Sequence, residues 1–288
     1  MKKLIPLLVL TLATSFSFGQ KSILWEISGN GLEKPSYLLG TLKFIGEREF
    51  IFPKEFKEKM DQCKIFAIED QVDHKAQMEL NKALHFPKGK SLATELTPED
   101  YAKVVAFMEK EFKLPKAKFE KDLGKLIPLA LSINMTRMAL GEKVRYYDIE
   151  LLLTAKHEKL KTYSLEPIKR EAQAIQEFPM EEQKQALMES IQNFEAQKNE
   201  YMQMEAAFDA NDLDKIFALT LHPTEDHPDF VKSFYTDRNL EWMPKIEKMM
   251  HDKPAFIAVG ITHLEGDQGL LALLQAKGYT LTPVPLTK

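Results

Sequence analysis

The stretch SYLLGTLKFIG, residues 36–46, is an apolar run that reaches a glycine and then presents Lys43. A second stretch, AFIAVGITHLEG, residues 255–266, repeats this pattern with His263 in place of the lysine. In open α/β sheets, ligands bind in the crevice beyond the carboxyl ends of the strands. We therefore expect the two strand ends, although far apart in sequence, to face one common cleft.

Both ends of the chain predict strands, and the middle predicts helices. Residues 22–28 alternate apolar and polar side chains, and the turn sequence GNGLEKP separates them from the next extended run, which indicates a hairpin. Residues 255–259 and 279–284 predict two more strands, whereas residues 73–219 have mostly helical periodicity. The expected fold is α/β, with a mixed central sheet formed by the N- and C-terminal segments, flanked by helices, and with a helical insertion in the middle.

The first residues have the pattern of a secretory signal peptide. Lys2 and Lys3 precede an apolar run that is too short to span a bilayer, and small residues follow near Gly19. We expect cleavage of residues 1–19, a single domain over residues 20–288, and a periplasmic or secreted location. The alternative is an uncleaved anchor helix. No other segment is apolar enough to cross a membrane, so no stable membrane insertion is expected after cleavage.

Charge and cysteine content exclude some classes of function. The formal net charge of −4 becomes −6 when a cleaved leader removes its two lysines. A nucleic-acid partner is not expected, because phosphate binding needs clustered basic residues. The single Cys63 cannot form an internal disulfide, so the fold must be stabilised by its core.

Polar side chains follow four apolar, strand-like runs, and this places candidate site residues at the sheet edge. Gly40 and Gly260 lie three positions before two of them, and a glycine allows close backbone approach and an unusual φ. The four polar residues are Lys43, Glu69, Glu166 and His263.

In four blocks the chain resembles the TraB/GumN family, whose animal relatives are the Tiki proteins. Tiki-like members are regarded as metal-dependent proteases, so the resemblance implies a peptide or protein substrate and divalent manganese or cobalt, the alternative being a site without metal. The matching blocks are ILWEISGNGLEKPSYLLGT (23–41), SLEPIKREAQAI (164–175), TDRNLEWMPKI (236–246) and AFIAVGITHLEGDQGLLALLQAKGYTLTPV (255–284).

The resemblance also implies roles for individual residues. The family has two G-x-x-H motifs and a glutamate after an early strand; Gly260 with His263 matches the second motif, and Glu69 matches the glutamate. His263 and Glu69 are thereby implied as metal ligands, and Glu69 as a catalytic residue. Arg238 and Glu166 fall in the other family blocks, with catalytic, supporting or substrate-contacting roles implied.

The first motif departs from the family pattern, because it reads Gly40-Thr41-Leu42-Lys43. A lysine ammonium has three donors and no acceptor, so it does not ligate a metal without losing its proton. Lys43 then either replaces the metal as a fixed cation paired with Glu69, or leaves a weakened site. That site would use His263, Glu69 and another acid, Asp70 or Glu166, with Glu69 or Glu166 as general base.

Three functions stay open at this stage. The first is a metal-dependent, protease-like hydrolase with an impaired or altered metal site. The second is a non-catalytic envelope protein that binds a peptide or glycan in the same cleft. The third is a folded remnant without a ligand, whose polar crevice is partly filled by apolar side chains.

Overall fold

The computed structural model describes residues 22–70, 74–141, 143–220 and 227–287, so the expected signal segment, residues 1–19, lies outside the described residues. The described chain forms a six-stranded sheet and a two-stranded ribbon. The strands are β1 Leu24–Gly29, β2 Ser36–Thr41, β3 Ile45–Gly46, β4 Ile65–Ile68, β5 Val144–Arg145, β6 Lys161–Ser164, β7 Ala255–Gly260 and β8 Tyr279–Pro283.

The large sheet is mixed, with the order β6-β4-β7-β2-β1-β8. The four strands β6, β4, β7 and β2 run parallel, whereas β1 pairs antiparallel with both β2 and β8. The central strands β2, β4 and β7 are almost wholly buried apolar runs, as is typical of strands covered on both faces. Because β2, β4 and β7 are parallel neighbours, their carboxyl ends meet at one edge.

Helices cover the sheet and fill most of the chain between β4 and β7. A π-helical segment, Lys232–Thr236, and a 3-10 turn, Ile261–His263, add to them. The α-helices are α1 Lys54–Met60, α2 His74–Ala83, α3 Leu92–Glu95, α4 Pro98–Phe112, α5 Lys116–Asp122, α6 Pro128–Ala139, α7 Tyr147–His157, α8 Ile168–Glu177, α9 Met180–Gln192, α10 Phe194–Asp209, α11 Leu213–Thr220, α12 Pro228–Val231, α13 Asp237–Asp252 and α14 Leu270–Ala276.

Local sequence explains several helix ends. Helix α4 begins as a capped helix, because the Thr97 side chain accepts a hydrogen bond from the Asp100 N–H at 3.1 Å and Pro98 occupies the first helical position. Helices α9 and α10 are separated at Asn193, whose backbone (φ −107°, ψ 18°) is not helical.

Two apolar cores stabilise the protein. One packs around the sheet and includes Leu39, Phe66, Phe256 and Trp242. The other lies within the helical insertion and includes buried side chains of α4, α5 and α6. The insertion thus has an apolar core of its own and is not a loose excursion from the sheet.

The expected fold class is confirmed: the structure is a mixed α/β protein whose sheet is built mainly from the two ends of the chain. Two details differ. The sheet is not limited to the two ends of the chain, because the strand-like run before Glu166 joins it as the edge strand β6, and the ribbon β3–β5 was not predicted. Within the described residues, no helix combines the length and apolar character needed to cross a bilayer.

Candidate functional site

A cleft of about 280 Å³ lies at the carboxyl ends of β2, β4 and β7. Lys43 follows β2, Glu69 follows β4 and His263 follows β7, and all three side chains line this cleft. Arg238, from the first turn of α13, lines it as well. The structure therefore brings together the polar residues of three sequence-distant strand ends.

Arg238 forms the centre of a buried charge network. Its guanidinium is 3% exposed; Nη2 donates to Glu69 Oε2 at 2.8 Å and Nε donates to Glu166 Oε1 at 3.0 Å. Nη1 donates to the carbonyl of Phe234 at 3.1 Å. Because these partners surround the guanidinium, its orientation is fixed. Its positive charge also compensates the negative charges of the two glutamates.

Glu166 supports Arg238 from behind the cleft. Its Oε1 accepts from Arg238, and its Oε2 accepts from the Trp242 indole N–H at 2.8 Å. Burial raises the pKa of Glu166, and the Arg238 charge counteracts this. Since both oxygens are engaged and the side chain is not among those lining the cleft, the geometry favours the supporting role.

The hydrogen-bond partners of His263 determine its tautomer. Asn239 Nδ2 donates to the carbonyls of His263 and Gln268, at 3.2 and 2.8 Å, so its Oδ1 is the acceptor that faces His263 Nδ1 at 2.7 Å. Nδ1 therefore carries the proton, and Nε2 carries the lone pair. Arg238 Nη1, which can only donate, lies 3.4 Å from Nε2 and is consistent with this assignment.

The surroundings keep His263 neutral. The ring packs at 4.5 Å from the Trp242 ring and meets the Tyr235 ring edge-on at 5.2 Å, between centroids. Burial lowers the His263 pKa to about 3, although the Glu69 carboxylate opposes this. At neutral pH the imidazole is thus a lone-pair donor to the cleft and not a charge.

Glu69 remains ionised although it is only partly exposed. Burial alone would raise its pKa, but the Arg238 guanidinium and the backbone N–H of Gly260, which donates to Glu69 Oε1, hold the pKa below its ordinary value. Glu69 and Arg238 therefore form a paired, charged wall of the cleft.

Lys43 lies at the mouth of the cleft, and its observed ion pair contradicts one of our hypotheses. Its side chain is 66% exposed, and Nζ donates to Glu171 Oε1 at 3.1 Å, whereas Glu69 pairs with Arg238. Lys43 thus does not pair with Glu69. The reason is that α8 places Glu171 beside Lys43 at the mouth of the cleft, whereas Glu69 is paired with the buried guanidinium of Arg238.

Glu171 and Asp70 form a carboxyl pair beside Lys43. Burial raises the pKa of Asp70 to about 9, and its hydrogen bond with Glu171 adds to this effect. Burial acts in the same direction on Glu171, but the Lys43 ammonium, the hydrogen bond with Asp70 and the Arg238 charge together outweigh it and lower the Glu171 pKa to about 2. At neutral pH the pair therefore holds one proton, on Asp70, and one negative charge, on Glu171.

Asp148, from α7, adds a group that titrates near neutral pH. Burial raises its pKa to about 7, and the negative charge of Glu69 adds to this effect. Thr41 Oγ1 lies 3.1 Å from Asp148 Oδ1 and 3.2 Å from the carbonyl of Val259. The hydroxyl has one proton to share between these two acceptors, and its hydrogen bond to Asp148 partly opposes the rise in pKa.

The two motif glycines allow close approach, as expected, but not through an unusual φ. A Cβ on Gly40 would lie 2.8 Å from Ile261 Cγ1 and 3.1 Å from its Cα, so this glycine lets the 3-10 turn pack on β2. A Cβ on Gly260 would lie 3.0 Å from Glu69 Oε1. Neither glycine has a positive φ.

Four cleft or supporting residues were not predicted: Thr41, Asp148, Glu171 and Asn239. Glu171 lies inside a quoted family block, and Asn239 directly follows Arg238, so proximity to those candidates was a usable signal. Asp148 carried no such signal. The π-helical segment before Arg238, a feature that is frequent at functional sites, was equally invisible in the sequence.

Comparison with known families decides the relationship. A model described as the TraB/PrgY/gumN family matches residues 23–283. The chain belongs to the TraB/PrgY/gumN family. The match spans every strand of the described structure and all the residues of the cleft. No curated protein and no solved structure gave a match.

The residues of the cleft do not fit the divalent metal ion that the family resemblance implies. The two prospective ligand atoms, His263 Nε2 and Glu69 Oε2, lie 3.9 Å apart, and both face the Arg238 guanidinium at hydrogen-bond distance. Lys43 contributes an ammonium where a third ligand was expected. Within the described ranges, no group of three or more His, Cys, Asp or Glu side chains is arranged to hold a metal.

Proposed function

We propose that this family member is an envelope protein, descended from a metal-dependent hydrolase, that binds a peptide-like or glycan-like ligand in the cleft while its metal chemistry is impaired. The leader-like residues 1–19 support a periplasmic or secreted location. N-terminal sequencing of the protein purified from an envelope fraction tests this part. A chain that begins at Met1 in that fraction would contradict cleavage.

The size and lining of the cleft support ligand binding. Its volume of about 280 Å³ approaches the lower end of small-molecule sites, and its lining also includes the aromatic residues Phe234 and Tyr235. The polar side chains are held rigidly by their partners. The cleft is thus a preformed space. The remnant hypothesis instead requires a crevice that is partly filled by apolar side chains.

The observation that carries the proposal is the position of Arg238. A permanent cation within hydrogen-bond distance of both prospective ligands opposes a second positive ion at the same place. The guanidinium does not move aside easily, because leaving Glu69 and Glu166 unpaired in a buried position is costly.

Elemental analysis and peptide assays test the proposal. We expect purified wild-type protein to contain no stoichiometric manganese or cobalt, and to cleave no quenched fluorescent peptide faster when either metal is added. Random tetrapeptides or short glycans should raise its Tm. Stoichiometric metal with metal-dependent cleavage, abolished by His263→Asn, would overturn the proposal.

The variant Lys43→His separates the two causes of metal loss. Manganese binding by this variant in calorimetry, but not by the wild type, would show that position 43 alone impairs the site. If the variant binds no metal either, Arg238 also excludes it.

A second candidate function is metal-independent hydrolysis, favoured by Asp148. With a pKa of about 7, this carboxyl is suited to proton transfer near neutral pH. As a carboxylate it would take a proton from water while the water oxygen attacks the substrate carbonyl. The protonated carboxyl would then give that proton to the leaving group.

Chelator and pH dependence distinguish this second function. It requires peptide cleavage that EDTA does not affect, that rises with pH through about 7 as Asp148 ionises, and that Asp148→Asn abolishes. Asp229→Asn, at an exposed carboxylate outside the cleft, is the matched control. Absence of EDTA-resistant cleavage would leave ligand binding as the function.

A further inference from the structure

Strand β6 is an open edge of the large sheet. It pairs with β4 alone, and the backbone N–H groups of Lys161 and Leu165 donate to carbonyls on the β4 side at 3.0 and 2.8 Å. Because backbone groups alternate in direction along a strand, Thr162 and Ser164 direct their N–H and C=O groups to the other side. Among the described residues, no hydrogen-bond partner meets these four groups. The backbone of β6 is therefore free to pair with one more strand.

The opposite edge of the sheet differs from β6. Its edge strand β8 contains Pro283, which has no N–H group to offer a further strand. Strand β6 contains no proline, and its first two residues, Lys161 and Thr162, are exposed. A groove of about 480 Å³ adjoins β6, with Thr162, Ser164 and residues of α7 and α13 in its lining. An extended chain thus finds both free backbone groups and space at this edge.

The charged side chains around this edge are mainly cationic. Lys156 and Lys245 are exposed and line the groove, and Lys161 begins the strand. In the part of the chain that the structure describes, none of the three ammonium groups pairs with a carboxylate; that of Lys245 donates to a backbone carbonyl and keeps its charge. The two acids of the lining are compensated, because both oxygens of Glu166 accept hydrogen bonds and burial keeps the pKa of Asp70 at about 9. The groove therefore favours a negatively charged ligand.

We propose that β6 binds an extended, acidic peptide segment as an additional strand of the sheet. Main-chain hydrogen bonds to Thr162 and Ser164 hold the peptide, and the lysines attract its carboxylates. The same lysines repel the corresponding edge of a second copy of this chain, which disfavours pairing between two copies. The inference goes beyond the proposed function, because this edge lies beside the cleft and binds its peptide whether or not the cleft is occupied.

Fluorescence anisotropy of a labelled octapeptide, (Thr-Glu)4 amide, tests the proposal with the full chain. The octapeptide should bind, and (Thr-Lys)4 amide with the same label should bind about tenfold or more weakly, since attraction to the lysines is replaced by repulsion. An analogue of (Thr-Glu)4 that is N-methylated at its four central amides keeps its charge but loses its donors. It should also bind about tenfold or more weakly. Equal binding of this analogue would overturn strand pairing.

Two matched pairs of variants locate the peptide. Thr162→Pro removes an N–H group that faces away from β4, so the variant should fold but bind the octapeptide about tenfold more weakly, whereas Thr162→Val should bind like the wild type. Lys156→Glu should weaken binding about fivefold or more, whereas Lys34→Glu, an equal charge change at an exposed turn outside the groove, should not. If either variant behaves like its control, the proposed placement is wrong.

Hydrogen exchange gives a readout that needs no variant. Saturating octapeptide should slow exchange of the Thr162 and Ser164 amides and leave the amides of β8 unchanged. Unchanged exchange at β6 would overturn the proposal. Failure of the octapeptide to bind, while tetrapeptides or glycans still raise the Tm, would overturn this inference and leave the proposed function of the cleft intact.

Discussion

The strand ends at Lys43 and His263 share a sequence pattern but differ in environment. After β7 the chain folds into a 3-10 turn, which buries His263 to 2% exposure against Trp242. After β2 no such turn forms, and the Lys43 side chain remains 66% exposed. Moreover, β2 and β7 pair with Thr41 opposite Gly260, so the two copies are offset by one residue. A repeated motif therefore does not create a repeated site.

The largest effect on stability is expected at the buried strand end, where Arg238 lies beside His263. Arg238→Ala removes the cation between Glu69 and Glu166, and leaving buried carboxylates unpaired should lower the free energy of unfolding by about 3–5 kcal/mol. Urea denaturation measures the loss. The exposed Arg137→Ala should change it by less than about 0.5 kcal/mol. A small loss for Arg238→Ala would mean that the network is solvated.

The two motif glycines, Gly40 and Gly260, allow the packing of the backbone at the two strand ends to be compared. Gly40→Ala places a Cβ against the Ile261 backbone and should lower the free energy of unfolding by about 1–3 kcal/mol, the usual cost of overpacking. Gly260→Ala meets only the Glu69 carboxylate and the His263 ring, so its cost should be smaller. Thermal or urea unfolding of both variants gives the order, and the reverse order would contradict the packing of the 3-10 turn on β2.

His263 should make stability depend on pH. Its pKa is about 3 in the folded protein and about 6.5 when unfolded, so the unfolded state binds more protons between these values. The contribution of His263 to stability should therefore fall as pH decreases through this window, by about 1.4 kcal/mol per pH unit, whereas the raised pKa values of Asp148 and Asp70 contribute in the opposite direction.

The slope of unfolding free energy against pH tests the His263 prediction. His263→Gln should remove the contribution of His263 from the slope even if the variant is less stable, whereas His157→Asn, at an exposed position, should leave the slope unchanged. An unchanged slope in His263→Gln would show that His263 is protonated in the folded protein.

The smallest effect is expected at the exposed end. Lys43→Met removes an ammonium that is mostly in solvent but leaves the buried Glu171 carboxylate without this cation, so the free energy of unfolding should fall by about 1 kcal/mol, well below the loss for Arg238→Ala. Chemical denaturation beside the wild type measures this. A loss as large as that of Arg238→Ala would mean that Lys43 is part of the buried network.

Particular residues show how far the sequence led. The hairpin β1–β2 and the strand ends before Glu69 and His263 were predicted, because near neighbours encode them through alternation and apolar runs. The contact of Lys43 with Glu171, across 128 positions, was not. Nothing local to either residue indicates the other.

By itself, the sequence determined the strands of the large sheet, most of the helices, the family and the polar residues at the edge of the sheet. Only the tertiary structure decided how those residues are paired. Arg238 reaches Glu69 across 169 positions and approaches His263 as well, and α7 and α8 add Asp148 and Glu171 to the cleft. The physical reason is range: backbone and periodicity preferences act over a few residues, whereas burial and charge pairing are settled only when distant elements pack together.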